Sequence, residues 1–237
     1  MDNMTALVSA FARAYHYINN DTRVFSDPFA EKMLTDEEYS AISQNMSRGI
    51  SFFAPEFHGT PEEALRYIVD HQLAPSVLAR SVFCERAIGN AVRIGCGQIV
   101  LYACGYDTFS LRNQHKELKI YELDRPEMIE DKLRRIKQTG TRPSCRVEYI
   151  GCDLSQPSWK EDLLTGALTA MSRPSEACSV SAIIFQKRSG GALWGRSLRL
   201  RVKGRPSALT IHSQTIPSQK ARRAGAAGSL LLRRVNR

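Results

Sequence analysis

The first part of the chain carries apolar side chains at helical spacing. In residues 5–18 these side chains lie three or four positions apart, at Leu7, Phe11, Ala14 and Ile18. This spacing predicts an amphipathic helix. The tetrads TDEE (35–38) and TPEE (60–63) each combine a threonine with a glutamate three positions later. Such a pair is a capping box, in which each side chain bonds free backbone N–H groups, so two further helix starts are predicted.

Two more helices complete the set of five predicted before the first strand. Asp27 followed by Pro28 is a pattern typical of a cap and the first helical position. Residues 76–91 have the length and polarity of another helix. The chain therefore begins with about 90 residues that are predicted to be mostly helical.

The pattern changes to strands alternating with helices after this helical part. Short apolar runs at Gln98–Ala103, Lys119–Asp124 and Arg146–Asp153 are predicted as strands. A polar-faced helix is predicted at 125–140 and another from about residue 158. Strands that alternate with helices at this spacing indicate an α/β sheet with parallel strands and helical crossovers.

The charge of the chain is distributed unevenly along its length. The 237 residues include 33 Lys and Arg and 24 Asp and Glu, a formal net charge of +9. Residues 171–237 hold 14 of the basic residues and one acid, Glu176, which gives +13 there and −4 elsewhere. The length fits one substantial domain or two small ones. The basic character belongs only to the last part of the chain.

The cysteines, the N-terminus and the apolar runs indicate the cellular location of the protein. No pair among the six cysteines has C-x-x-C spacing, so neither a zinc site nor a redox dithiol is indicated. The N-terminus lacks the basic start and cleavable apolar stretch of a signal peptide. No run approaches the roughly 18 apolar residues that span a membrane. We therefore expect a cytoplasmic protein that does not act at a membrane.

Candidate chemistry lies where the predicted strands end. Gly105 and Asp107 follow the first strand, Asp124 ends the second, and Asp153 ends the third. A glycine at this place lets the backbone approach a ligand that a Cβ atom would block. Asp124 lies 19 residues after Gly105. This is close to the offset of about 20 at which an acid meets the ribose of an adenosine-type ligand.

The same residues have a purely structural interpretation. A glycine after a strand is common in α/β proteins, and an aspartate at a strand end is often a helix cap or a turn residue. A dinucleotide site would show G-x-G-x-x-G. Here Ala103 takes the first glycine position and no third glycine follows. NAD and FAD are therefore disfavoured as cofactors.

Six segments together resemble a known family. They are, in chain order, ALVSAFARAYH, FSDPFAEKML, ARSVFCERAI, YACGYDTFSLR, YELDRPE and VEYIGCDLSQPSW. In order and spacing, residues 5–164 resemble the leucine carboxyl methyltransferase-like family of class I S-adenosylmethionine-dependent methyltransferases, which includes bacterial O-methyltransferases. The resemblance implies a Rossmann-like α/β sheet with a helical N-terminal cap, and S-adenosylmethionine as cofactor.

The resemblance also implies roles for residues at the strand ends. Gly105 would lie against the methionine part of the cofactor, and Asp124 would hold the ribose hydroxyls. Asp153 and Leu154 would frame the adenine.

Two further residues have implied roles that compete with simpler ones. Arg80 would reach the carboxylate of the cofactor, although an arginine on a helix is often only a solvated side chain. Asp107 would shape the loop after the first strand, although it could serve only as an N-cap.

The implied reaction is methyl transfer to an oxygen of an unidentified acceptor, either a small molecule or a protein carboxylate. Alignment of this oxygen with the activated methyl group does most of the work. A carboxylate acceptor needs no base, whereas a hydroxyl needs one. None of the five histidines lies in a recognisable motif, so the sequence identifies no catalytic residue.

The segment that follows the family-like part departs from the family pattern. The family would show a fourth-strand segment similar to SLLGVSYYLSKEEW, whereas this chain has EACSVSAIIFQKRS at 176–189. Codons for these residues, read one nucleotide out of register, permit the residues S-L-L-G-V-S-Y-Y-L-S-K-x-E-W. We therefore predict a one-base shift between about codons 165 and 176.

This prediction divides the chain into three parts. Residues 1–92 would form the helical cap, 93–170 a partial S-adenosylmethionine-binding domain, and 171–237 a basic, disordered, out-of-frame tail. The sheet would then be truncated after its third strand, and methyl transfer would be weak or absent. The alternative is a non-catalytic product whose basic tail binds polyanions nonspecifically. The tail contains no recognisable module for specific nucleic-acid binding.

Overall fold

A computed structural model describes residues 3–156, 158, 159, 161, 162 and 165, together with the backbone of 179–181, 184–187 and 193–196. The prediction of an out-of-frame tail falls mostly outside these residues. The helix predicted from residue 158 is described only in part, and positions 159, 161, 162 and 165 are helical.

The N-terminal part is helical, as predicted. Its α-helices are α1 (Met4–Asn19), α2 (Asp36–Arg48), α3 (Ile50–Phe53), α4 (Pro61–Ile68) and α5 (Ala74–Arg93). Both capping boxes are confirmed, because Thr35 and Glu38, and likewise Thr60 and Glu63, exchange hydrogen bonds with each other's backbone N–H groups. Helices α4 and α5 are joined by a π-helical turn, Val69–Leu73.

The helix start predicted at Asp27 is wrong. Residues 28–30 form a turn, and only a short 3-10 helix, Glu31–Met33, follows. The carboxylate of Asp27 is buried and pairs with the Arg13 guanidinium, which lies 2.8 Å away. Its Oδ1 also accepts the N–H of Phe29 at 3.3 Å, so Asp27 caps a single turn rather than an α-helix.

The α/β part begins at β1 (Gln98–Tyr102) and continues through the short helix α6 (Phe109–Arg112). Strand β2 (Lys119–Asp124), helix α7 (Pro126–Thr139) and β3 (Arg146–Gly151) follow. Strand β2 pairs in parallel with both β1 and β3. The three predicted strands and the crossover helix are confirmed, and Gly140 ends α7 in the left-handed conformation.

The sheet does not end at the third strand. The backbone of β4 (Ser179–Ser181) pairs in parallel with β1 on the side away from β2, so the strand order is β3-β2-β1-β4. This corrects the prediction of truncation, for an unpaired edge of β1 would leave N–H and C=O groups without partners. Only three residues of β1 are paired in this way. Strands β5 (Ile184–Lys187) and β6 (Leu193–Arg196) form a separate antiparallel pair.

The sheet buries apolar side chains on both faces, as parallel sheets do. On one face, Ile99 and Leu101 of β1 pack in a cluster with Ile88 of α5. On the other, Val100 and Tyr102 pack in a cluster with Trp159. None of the helices that the structure describes combines the length and apolar character needed to cross a membrane.

Candidate functional site

The candidate residues gather at the carboxyl edge of the sheet. In the register of the strands, Tyr102 of β1 lies beside Leu123 of β2, and Asp124 lies beside Gly151 of β3. The loop after β1, the end of β2 and the turn after β3 therefore open on the same side. Ligands of open α/β sheets bind at this edge.

A direct hydrogen bond joins two of the candidate residues. The N–H of Gly105 donates to Oδ2 of Asp124 over 2.8 Å. The other carboxylate oxygen, Oδ1, accepts the N–H of Arg125 over 2.8 Å. Each oxygen of a carboxylate can accept two hydrogen bonds, and the Asp124 side chain is only half-buried. Asp124 therefore anchors the loop after β1 and still has room to accept hydrogen bonds from a ligand.

The loop after β1 has a left-handed backbone at two positions. Gly105 has φ +47° and Ala103 has φ +49°. A Cβ atom added at Gly105 would lie 3.2 Å from the Cβ of Ala6 in α1. The first turn of α1 thus packs on the loop, and Asn3 accepts a hydrogen bond from Arg125 at 3.2 Å. The helical cap therefore covers one side of the candidate site.

Asp107 shapes this loop through its side chain. Its Oδ1 accepts the N–H of Phe109 at 2.7 Å, which turns the chain into α6. Burial raises the pKa of Asp107, but the charges of Arg13, Lys132 and Arg112 and the Phe109 N–H outweigh it and lower the net pKa. This geometry matches the structural interpretation, in which Asp107 organises a turn.

Asp153 and Leu154 lie one strand further along the same edge. Oδ1 of Asp153 accepts both the hydroxyl and the N–H of Ser155, at 2.7 and 2.9 Å. These two hydrogen bonds lower the pKa of the exposed Asp153 carboxyl group. Leu154 is half-buried and packs against the apolar cluster that contains Tyr102. The turn after β3 thus places an acid beside an apolar surface.

Arg80 belongs to helix α5 rather than to the sheet. Its Nε donates to the carbonyl of Ser76 at 3.1 Å. Burial, and then the positive charge of Arg13, lower the pKa of Arg80. Arg13 itself donates to the carbonyl of Tyr106 in the loop after β1, at 2.8 Å. The structure therefore places Arg80 on the helical cap.

The residues that sequence reasoning missed connect the cap to the loop. They are Arg13, Asp27, Thr108 and Arg112, all joined by hydrogen bonds or ion pairs. One signal was available in the sequence. Arg13 interrupts an otherwise apolar stretch, between Ala12 and Ala14, and a charged residue in such a stretch is usually paired when it is buried.

Several known proteins are similar to this chain in sequence. The family model described as leucine carboxyl methyltransferase matches residues 6–182. A Bacillus subtilis (strain 168) protein named as an S-adenosyl-L-methionine-dependent methyltransferase, YktD, is 32% identical over 168 residues, which cover 68% of this chain and 55% of that protein. A protein of Mycobacterium ulcerans (strain Agy99), also named as an S-adenosyl-L-methionine-dependent methyltransferase, is 28% identical over 70% of this chain and 51% of its own.

The chain spans about half the length of the curated relatives it matches. Among solved structures, a MtNAS mutant in complex with S-adenosylmethionine is similar over 76% of each chain, with 14% identity and a TM-score of 0.28. A TM-score this low carries no information about the site.

Proposed function

This chain belongs to the leucine carboxyl methyltransferase family, and from that premise we propose that it binds S-adenosylmethionine at the carboxyl edge of its sheet. The reaction is transfer of a methyl group to an oxygen of an acceptor, either a carboxylate or a hydroxyl. The observation that carries the proposal is the hydrogen bond from the Gly105 N–H to Asp124. This hydrogen bond holds an acid next to a glycine backbone at the carboxyl edge of the sheet, which is where α/β proteins of this type recognise a nucleoside.

The described residues fit this cofactor. Asp124 accepts hydrogen bonds from the ribose hydroxyls, because each of its oxygens accepts one backbone N–H and can accept a second hydrogen bond. Leu154 offers apolar surface to the adenine ring, and Asp153 accepts a hydrogen bond from the amino group of the adenine.

The other end of the cofactor lies toward the helical cap. The backbone of Gly105 lies against the methionine part, and Arg80 pairs with its carboxylate. Asp107 acts through the loop that it shapes. These assignments place the cofactor between the sheet edge and the cap, where α1 and α5 can both reach it.

S-adenosylmethionine supplies a methyl group that is already activated by the positive sulfonium. The protein therefore has to bind the cofactor, orient the acceptor oxygen and exclude water. A carboxylate acceptor is ionised at neutral pH and needs no base. The segment predicted to be out of frame, 171–237, would take the place of the part that orients the acceptor. We expect this chain to bind the cofactor but to transfer methyl groups slowly or not at all.

The test compares variants of one acid with a matched control. Asp124→Ala removes the carboxylate that anchors Gly105, and Asp124→Asn keeps its shape without the charge. Glu127→Ala removes an exposed acid of α7 a few residues away. We expect saturable S-adenosylmethionine binding in the wild type and in Glu127→Ala, measured by calorimetry. Binding should weaken in Asp124→Asn and be lost in Asp124→Ala; equal affinity in all four proteins would contradict the proposal.

The alternative function is nonspecific binding of polyanions by the basic tail. Its support is the charge of +13 over residues 171–237. Binding of this kind weakens steeply with salt, because phosphate contacts release counterions. A titration with duplex DNA at about 50 and 200 mM salt separates the two functions. The alternative requires DNA binding that weakens with salt, together with no saturable binding of S-adenosylmethionine.

A further inference from the structure

A buried carboxylate connects the helical cap to the loop after β1. Asp27 is 1% exposed. Its Oδ2 accepts Nε of Arg13 at 2.8 Å, and its Oδ1 accepts the hydroxyl of Thr108 at 2.6 Å. Nε of Arg112 lies 3.2 Å from the same Oδ1. A carboxylate withdrawn from water needs such a set of donors, since an unpaired buried charge is very costly.

Each partner of Asp27 holds a part of the loop. Arg13 donates through Nη2 to the carbonyl of Tyr106 at 2.8 Å. Thr108 is fully buried and immediately follows Asp107. Arg112 donates from Nε to the hydroxyl of Thr108 at 2.9 Å. The carboxylate of Asp27 thus fixes the loop at two points. It holds the carbonyl of Tyr106 through Arg13, and it binds the hydroxyl of Thr108 directly.

The same network reaches a second helix of the cap. Both terminal nitrogens of Arg112 donate to the carboxylate of Glu85 in α5, at 2.6 and 3.2 Å. This bidentate pair is geometrically specific. Helix α1 therefore contacts the loop through the buried Arg13. Helix α5 reaches the loop indirectly, through the half-buried Glu85 and its partner Arg112. These directional hydrogen bonds add to the apolar packing that holds the cap on the sheet.

We infer that Asp27 is a positioning residue for the cofactor loop. Through Thr108 and Arg13 it holds residues 103–108 in the conformation that presents the Gly105 backbone to the ligand. The inference rests on the proposed function, because the ligand is S-adenosylmethionine. The competing view is that the network only stabilises the fold. The two views differ in whether affinity changes while the protein stays fully folded.

The test changes the hydroxyl that reaches Asp27. Thr108→Val has nearly the same shape but cannot donate, and Thr108→Ser restores the donor. Ile68→Val, at a buried position of α4, is the control for a loss of stability within the cap. Affinity for S-adenosylmethionine is measured by calorimetry at a temperature where urea unfolding shows that every variant is folded.

We expect Thr108→Val to bind about tenfold more weakly, since the loop is then competent in a smaller fraction of molecules. Thr108→Ser and Ile68→Val should stay within about twofold of the wild type. An unchanged affinity in Thr108→Val, or equal weakening in Ile68→Val, would overturn the inference. Absence of binding in the wild type would instead refute the proposed function, so the two failures are distinguishable.

A second measurement needs only the wild-type chain. The N–H of Phe29 donates to Oδ1 of Asp27 at 3.3 Å and lies outside the proposed ligand contacts. Under the inference, S-adenosylmethionine slows amide hydrogen exchange at Phe29 as well as in residues 103–109. Protection confined to 103–109 would show that the cap does not hold the loop. This measurement keeps the inference testable even if Thr108→Val fails to fold.

Discussion

At the scale of single residues, two glycines respond oppositely to the same substitution. Gly105 has φ +47°, and an added Cβ would lie 3.2 Å from Ala6. Gly89 lies within α5, where an added Cβ meets nothing within 4 Å. We expect Gly105→Ala to lower the free energy of unfolding by about 1–2 kcal/mol. Gly89→Ala should raise it by about 0.5–1 kcal/mol. Urea unfolding of both variants checks the signs, and a stabilising Gly105→Ala would contradict the loop conformation.

His16 predicts a pH dependence of stability. It is buried in α1, where its Nε2 accepts the N–H of Val24 at 3.1 Å. Burial lowers the pKa of His16; Asp70 raises it and Arg23 lowers it further, and the net shift is downward. The unfolded chain therefore binds this proton more tightly than the folded protein does. Stability is retained above about pH 6.5 and is lost as the pH falls below it.

The measurement for His16 is the free energy of unfolding between pH 5 and 8. His16→Gln keeps an acceptor for Val24 but cannot titrate, so its stability should fall less on acidification than that of the wild type. His71→Gln removes an exposed histidine and serves as the control. Identical pH dependence in the wild type and His16→Gln would show that the buried site does not exclude the proton.

At the scale of elements, local signals predict more than long-range ones. The capping boxes at Thr35 and Thr60 are confirmed, because their partners lie three residues away on the same chain segment. The apolar runs of β1, β2 and β3 are confirmed as strands, since both faces of the sheet are covered. Asp27 was misassigned as a helix start because two of its partners are distant along the chain, Arg13 by 14 positions and Thr108 by 81. Spacing along the chain carries no record of such a contact.

The candidate site shows the same division. The positions of Gly105 and Asp124 followed from strand ends. Parallel pairing brings these ends side by side, and the left-handed loop then aims the Gly105 N–H at Asp124. The roles of Arg80 and Asp153 came only from the family resemblance and stay predictions. The contacts of the cap with the loop required the fold, because they depend on how α1 lies on the sheet.

Helix α7 is joined to β2 by a buried ion pair. Nζ of Lys132 lies 2.5 Å from Oε2 of Glu122, and both side chains are fully buried. Lys132→Met leaves the Glu122 carboxylate unpaired and should cost about 3–5 kcal/mol. The double variant Lys132→Met with Glu122→Leu removes both charges and should recover most of that loss. Urea unfolding distinguishes the two; equal instability would mean that shape, not charge, dominates this contact.

At the scale of the whole molecule, the net charge changes within the part of the chain that matches the family. The family model matches residues 6–182, and the basic excess begins near residue 171. The three-part division at 92 and 170 is our proposal for the domain organisation. Strand β4 gives the sheet a fourth strand from within the basic segment. It pairs with β1 over three residues, whereas β2 pairs with β1 over five.

The proposed reading-frame shift is tested on the gene itself. Resequencing of the coding DNA across codons 160–195 should show that the shifted frame encodes SLLGVSYYLSK in place of residues 176–186. A gene restored to that frame should then transfer methyl groups faster than the present chain. A confirmed sequence whose shifted frame encodes something else would contradict the shift, and the basic segment would then be an evolved part of the protein.

The most direct test of the account is a calorimetric titration of the full chain with S-adenosylmethionine. The central claim is that the carboxyl edge of β1 and β2, anchored by Asp124, forms a cofactor site within this chain. We expect saturable binding with one site per chain, and an affinity that changes little between about 50 and 200 mM salt. No saturable binding by a folded chain would contradict it, and would show that family membership and the Gly105–Asp124 geometry are insufficient to form the site.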